Sequence, residues 1–208
     1  MNFSALLAKF GHTQIAAEQG AEGFLKFYDE TKSLCFAYCV HRAGSLIVAE
    51  KLCERVYATA LTKQLSFLWF GTLDFSLILR LVEENMKDIA VEQVDPEAFF
   101  VNKLAFLTEE EKNAASHFHE SLWALPAPVQ QVIILAYLCG QSAEQLSLSL
   151  GVSLQIAQAH TEEAVKLLLQ SWQHPASLEQ KLNSLTVLPS LSVQNDEEIR
   201  SLLLTQWA

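Results

Sequence analysis

Apolar residues in this chain return every three or four positions over long stretches, and that spacing commits the chain to helices. Phe24, Tyr28, Thr31, Cys35 and Tyr38 form one series, Leu46, Ala49, Cys53, Val56 and Ala60 a second, and Phe75, Leu79, Val82, Met86 and Ile89 a third. At about 3.6 residues per turn, each series lines one face of a helix. Strands would need Val, Ile, Thr and aromatic residues at every second position, closed by Asn-Gly or Asp-Gly turns, and the sequence contains no such run. The predicted fold class is all-α.

Punctuation divides the helices into two small helical domains. Ala43-Gly44-Ser45 supplies a helix stop and then an N-cap, and Phe70-Gly71-Thr72 separates the second series from the third, so residues 1–89 read as a three- or four-helix bundle. Val94-Asp95-Pro96 breaks the pattern, because proline disfavours the helical conformation in the residue before it. Residues 90–122 are expected to form an acidic linker with some helix around Thr108-Glu-Glu-Glu-Lys. A second unit spans 123–174. Pro128 suits the first turn of its first helix, Val132, Ile133, Ala136 and Tyr137 build an apolar face, and Gly140 ends that helix. Ser142 followed by Gln145 is a capping box, Gly151 makes a turn, and Ser153 caps a longer helix running to about Trp172. Short helix, glycine turn and longer helix together read as a helix-turn-helix.

Each domain is expected to have its own core. Phe24, Tyr28, Cys35, Ala49, Cys53, Val56 and Leu79 should fill the first, and Leu125, Val132, Leu146, Leu150, Ala164 and Leu168 the second. Residues 175–208 form a C-terminal extension with a last short helix, opened by Asp196-Glu197-Glu198 and striped by Ile199, Leu202, Leu203 and Trp207. It is expected to fold back on the second unit; the alternative is a docking peptide for a partner.

Composition narrows the function classes. Of 208 residues, 50% are apolar and 18% charged, which excludes a disordered chain. The longest apolar runs, Leu65 to Leu73 and Val132 to Cys139, fall short of the ~18 residues of a membrane span, and the N-terminus lacks the basic region of a secretory signal. No membrane association and a cytoplasmic location are expected. Cys35, Cys39, Cys53 and Cys139 lie in apolar periodic segments and read as reduced core thiols. Cys35 and Cys39 with His41 come nearest to a metal set but have no second ligand pair, and His117 and His119 point to different sides of a helix. No metal is predicted. There is no Gly-rich phosphate loop, no Gly-x-Ser-x-Gly elbow and no His-Glu-x-x-His, and the adjacent carboxylates Glu83/Glu84 and Glu162/Glu163 diverge on their helices. The chain is read as a non-enzyme without cofactor.

Charge is the sharper constraint. The total is −10, and residues 124–172, which hold the helix-turn-helix, carry Lys166 as their only cation against Glu144, Glu162 and Glu163. Free-standing binding to nucleic acid needs a basic face, so any such role must lean on a partner.

Three segments, in order, resemble the extracytoplasmic-function class of bacterial sigma factors. Gln19-Gly20-Ala21-Glu22-Gly23-Phe24 with Phe27-Tyr28 and Leu34-x-Phe36-Ala37 is similar to the opening of that family's region two. Ala49-Glu50-Lys51-Leu52-Cys53-Glu54-Arg55-Val56-Tyr57 falls where the family carries Ala-Glu-Asp-Leu-Val-Gln-Glu-x-Phe. Leu125-Pro126, Val132 to Leu138, Gly140, Ser142, Leu146, Leu150-Gly151-Val152-Ser153 and Ala164 resemble the region-four helix-turn-helix. The resemblance implies a transcription initiation factor that binds core RNA polymerase and directs it to promoters. It makes 1–89 region-two-like and 123–174 region-four-like. It places polymerase binding on Glu50, Lys51, Glu54 and Arg55, and DNA contact on Gln155, Gln158, Ala159 and His160. Promoter DNA would be engaged only within the polymerase complex, and an anti-sigma-like regulator is a further partner class.

The sequence departs from the family where charge matters. Lys51 stands at the signature's Asp and Glu54 at its Gln, Ile89-Ala90-Val91-Glu92-Gln93 follows where a basic helix is usual, and Gln158, His160 and Glu163 occupy basic positions of region four. The alternative function is therefore a sigma-derived regulatory interaction protein that binds polymerase or another protein without reading DNA.

Overall fold

A computed structural model describes residues 20–65, 74–87, 109–171 and 193–207. Among them there are eight α-helices and no strand: α1 (Gly20–Ala43), α2 (Leu46–Leu65), α3 (Phe75–Met86), α4 (Glu109–Trp123), α5 (Ala127–Ile133), α6 (Ala143–Leu150), α7 (Leu154–Ser171) and α8 (Val193–Trp207). α5 runs directly into a π-helical turn over Ile134–Leu138. The all-α class is thus observed. Phe70-Gly71-Thr72, Ile89 to Gln93, the Val94-Asp95-Pro96 break and Trp172 lie outside the described residues.

The helix ends follow the sequence signals. Gly44, at φ 65°, takes the left-handed conformation that closes α1, and its N–H donates to the Val40 carbonyl at 2.8 Å. Ser45 Oγ then accepts from the Val48 N–H at 3.4 Å, opening α2. Asp74 caps α3, accepting from the Leu77 N–H at 2.9 Å.

α1 is the centre of the molecule. Leu34 through Val40 are seven consecutive residues, all buried, so this part of the helix has neighbours on every side rather than on one stripe. α2 and α3 pack on it, and α3 is tied to it by polar groups: the Tyr38 hydroxyl donates to Glu83 Oε1 at 2.7 Å, and Arg42 donates to both Glu83 oxygens at 2.9 and 3.0 Å. This two-pronged pair fixes orientation as well as distance. The π-helical turn after α5 covers another side, and the Trp123 indole of α4 donates to the His41 carbonyl at 3.1 Å.

The two helical sets share one core. A continuous buried cluster runs from Phe24 through Val82, Phe118 and Leu138 to Leu168, and α3 lies against α6. The seven residues expected in the first core are all buried, as are Val132, Leu146, Ala164 and Leu168. Leu125 and Leu150 are only half-buried and pack against the cluster's edge. Leu125 sits in the turn before α5 and Leu150 is the last residue of α6, where the chain turns back to solvent.

The C-terminal helix overturns one expectation. Among the described residues, α8 packs mainly on α1 and α2 of the first unit. Ile199 and Leu203 are buried there, the Tyr28 hydroxyl donates to Asp196 Oδ1 at 2.7 Å, Lys32 Nζ donates to Asp196 Oδ2 at 2.6 Å, and Arg200 pairs with Asp29. Burial works against the charge on Asp196, but the bonds from Lys32 and Tyr28 outweigh it and hold the carboxyl below its usual value of 3.8.

Two outcomes follow. Leu146→Ala should destabilise the protein by about 2–5 kcal/mol and lower the midpoint of a single unfolding transition reported alike by tryptophan fluorescence and helical circular dichroism, because the sets share a core. Asp196→Asn should cost about 1 kcal/mol at pH 7, its bonds being partly open to solvent. A depressed carboxyl pKa stabilises above the unfolded value and loses that contribution as pH falls through the folded one. The melting-temperature gap between wild type and Asp196→Asn should therefore close below about pH 4.

Candidate functional site

Two exposed helix faces hold the residues that the sequence singles out. On α2, Ala49, Leu52, Cys53, Val56, Tyr57, Ala60 and Leu61 are buried, which turns the opposite face outward. Lys51, Glu54 and Arg55 are exposed on it and Glu50 is half-buried at its margin. Lys51, Glu54 and Arg55 form no ion pair with another described residue, so their charges face solvent. Ile47 joins them at i−4 from Lys51 and is 67% exposed, the most exposed large apolar side chain described. Sequence reasoning passed over it because the core stripe runs through Leu46 and Ala49; the signal was an isoleucine off that stripe.

The second face belongs to α6 and α7. The Ser142 hydroxyl accepts from the Gln145 N–H at 3.3 Å while the Gln145 side chain accepts from the Ser142 N–H at 2.8 Å, completing the capping box. Gly151, at φ 66°, ends α6, and the Val152 N–H reaches back to the Ser147 carbonyl at 2.9 Å. A side chain at 151 would be strained by that φ, so the turn depends on glycine. Ser153 Oγ accepts from the Ile156 N–H at 3.3 Å and starts α7. Ala157, Ala164 and Leu168 anchor α7 inward, leaving Gln155, Gln158, Ala159 and His160 all exposed. This is the presentation a base-reading helix needs.

The electrostatics of that face differ from those of a DNA reader. Lys166 lies 3.8 Å from Glu163 on the same helix, so the unit's one cation is already paired. Glu144, held below the usual carboxylate range by its own backbone N–H and the Ser142 hydroxyl, adds a negative charge at the start of α6. Leu148, Leu154 and Ile156 are exposed beside the candidate base-reading residues.

The minor candidates resolve simply. Glu83 is engaged by Tyr38 and Arg42 while Glu84 pairs with Lys63 at 3.3 Å, so the adjacent carboxylates diverge. His117 faces solvent beside Glu120, and His119 is buried, stacked on His41 with ring centroids 6.0 Å apart. Cys35 and Cys39 come together with Cys53, which the sequence did not group with them. No group of three or more potential ligands suited to a metal occurs among the described residues, and no described helix is long and apolar enough to cross a membrane.

Compared with protein-family models and with curated proteins, the chain matches none.

The charge of the second face sets an expectation for the full-length protein on its own. Affinity for duplex DNA falls with a log-log salt slope of about −0.9 per neutralised phosphate, so one paired lysine supplies almost no such term. Titration at low salt should show no micromolar binding to promoter or random duplexes. A slope steeper than about −3 would contradict the charge reading.

Proposed function

We propose that the protein is a sigma-factor-like transcription initiation factor, cytoplasmic, that docks on core RNA polymerase through the outer face of α2 and meets promoter DNA only inside that complex. The observation that carries this reading is the helix-turn-helix of α6 and α7, which turns Gln155, Gln158, Ala159 and His160 to solvent on a unit without free positive charge. A glutamine that bonds an adenine edge contributes about 1–3 kcal/mol, too little to hold a module its net charge repels. Tethering by polymerase supplies the missing attraction as effective concentration, and the readers then need only discriminate.

The α3–α6 contact bears on how such a factor works. With Leu146 of α6 and six residues of α3 buried in the shared core, the two units cannot reach promoter elements far apart until that contact opens. Polymerase binding is the event that would have to supply the opening energy.

A second reading is favoured by Leu148, Leu154 and Ile156, whose exposure suits a protein partner better than a phosphate backbone. In that reading the chain is a sigma-derived interaction protein, and the helix-turn-helix face receives polymerase or an anti-sigma-like regulator without touching DNA.

Reversing Lys51 and Arg55 together, Lys51→Glu with Arg55→Glu, should weaken polymerase binding at least about tenfold. Stability should change by no more than about 0.5 kcal/mol, since both side chains are on the surface. Unchanged affinity in the double variant would remove the contact from α2. Polymerase binding without promoter protection in a footprint would select the second reading.

A further inference from the structure

Cys35, Cys39 and Cys53 lie in the seam between α1 and α2, all fully buried and all free thiols. Cys35 is the hub: its Sγ is 4.0 Å from that of Cys39 and 3.9 Å from that of Cys53. Core packing needs only apolar volume there, and this chain places two sulfurs within reach of a third instead.

The two contacts are not equivalent. Cys35 and Cys39 are one turn apart on the same helix, where Cβ atoms sit about 5–6 Å from each other. A disulfide needs Cβ atoms about 3.5–4.5 Å apart, so that pair closes only by unwinding α1. Cys35 and Cys53 face each other across two helices, and bringing their sulfurs to about 2.05 Å takes side-chain rotation and a small relative shift of α1 and α2.

Reactivity is also asymmetric. Burial opposes ionisation of Cys35, but the neighbouring Cys39, Cys53 and Tyr57 side chains outweigh it and favour the thiolate. Cys53 is pushed up by its hydrogen bond to Cys35 and by burial, and Cys39 chiefly by burial. Cys35 is the sulfur in contact with both others, so an oxidised Cys35 is the one that a neighbouring thiol can resolve.

A reagent reaches these sulfurs only when something lifts, and α8 borders both helices that carry them. It packs on both α1 and α2, and Asp196 in its first turn acts electrostatically on Cys53 while binding Tyr28 and Lys32. Among the described residues its buried apolar hold is Ile199 and Leu203, against the long seam that joins α1 to α2. Peripheral elements with few buried contacts open first.

We propose that Cys35 and Cys53 are a peroxide-responsive dithiol that closes to a disulfide when α8 lifts. The Cys35 thiolate attacks one oxygen of hydrogen peroxide, the O–O bond breaks, and the leaving hydroxide takes a proton to depart as water, leaving Cys35 as the sulfenic acid. Cys53 Sγ attacks that sulfur, the S–S bond forms as the S–O bond breaks, and the departing hydroxide takes the Cys53 proton as a second water. Two thiols lose two electrons and two protons, and one peroxide becomes two waters.

The test treats the full-length protein with hydrogen peroxide, quenches by alkylation in denaturant, and reads intact mass and mapped peptides. The expected product carries two alkyl groups where the untreated protein carries four, is 2 Da lighter than the protein with two added alkyl groups, and is reversible by dithiothreitol, with Cys35 linked to Cys53 and with Cys39 and Cys139 still alkylated. Cys53→Ala should not lose 2 Da. Asp196→Ala should form the link about fivefold faster, the factor corresponding to a cost of about 1 kcal/mol. If circular dichroism shows Asp196→Ala unfolded, Arg200→Ala loosens the same helix from its exposed side and takes its place. Four free thiols after treatment, a 2 Da loss that persists in Cys53→Ala, or a link mapped to Cys39 or Cys139 would overturn the dithiol. Equal rates in wild type and the loosened variant would overturn the role of α8.

Discussion

The burial of α1 on all sides over residues 34–40 is the constraint from which the rest of the architecture follows. A helix with seven successive residues out of water cannot be covered by one neighbour. It draws in α2 and α3 from its own unit, the π-helical turn after α5 from the helix-turn-helix unit, and α8 from the far end of the chain. Two sets of helices far apart in sequence therefore share one core. Its polar ties include Tyr38 and Arg42 on Glu83, the Trp123 indole on the His41 carbonyl, and Tyr28 and Lys32 on Asp196. Each joins α1 to a different covering element and fixes the geometry that apolar packing alone leaves loose.

The same economy shapes the surface. With α2 committed inward through Ala49, Cys53, Val56 and Tyr57, only its Ile47, Lys51, Glu54 and Arg55 side is left for a partner. α7, committed through Ala157, Ala164 and Leu168, leaves its glutamines and His160. One face is charged with an exposed isoleucine; the other belongs to a net-negative unit and has exposed leucine and isoleucine. Both are chemically closer to protein-contacting surfaces than to a phosphate-gripping one, and for that reason the proposed function is built on polymerase first and on DNA second.

Much of this was legible in the sequence because its signals are local. Ala43-Gly44-Ser45, the Ser142–Gln145 capping box and Gly151 each act within one turn of a helix, and each sits where the sequence put it. The exposed positions of Lys51, Glu54, Arg55 and the α7 residues follow from helical period alone. The docking of α8 was not legible: the Ile199, Leu202 and Leu203 stripe says which side is apolar but not what it covers, and the deciding contacts of Asp196 with Tyr28 and Lys32 span more than 160 residues. The thiol cluster was half legible, since helical spacing pairs Cys35 with Cys39 but only the crossing of α1 and α2 brings in Cys53. The shared core was hidden for the same reason, as periodicity reports faces and not the partners they meet.

The central claim, that this helical pair of faces serves transcription initiation, is met most directly by reconstituted transcription. Core RNA polymerase, supplied with the full-length protein and a supercoiled library of genomic fragments, should yield transcripts from discrete start sites that are absent with core enzyme alone. Transcripts indistinguishable from those of core enzyme alone, with the protein demonstrably bound to it, would contradict an initiation factor.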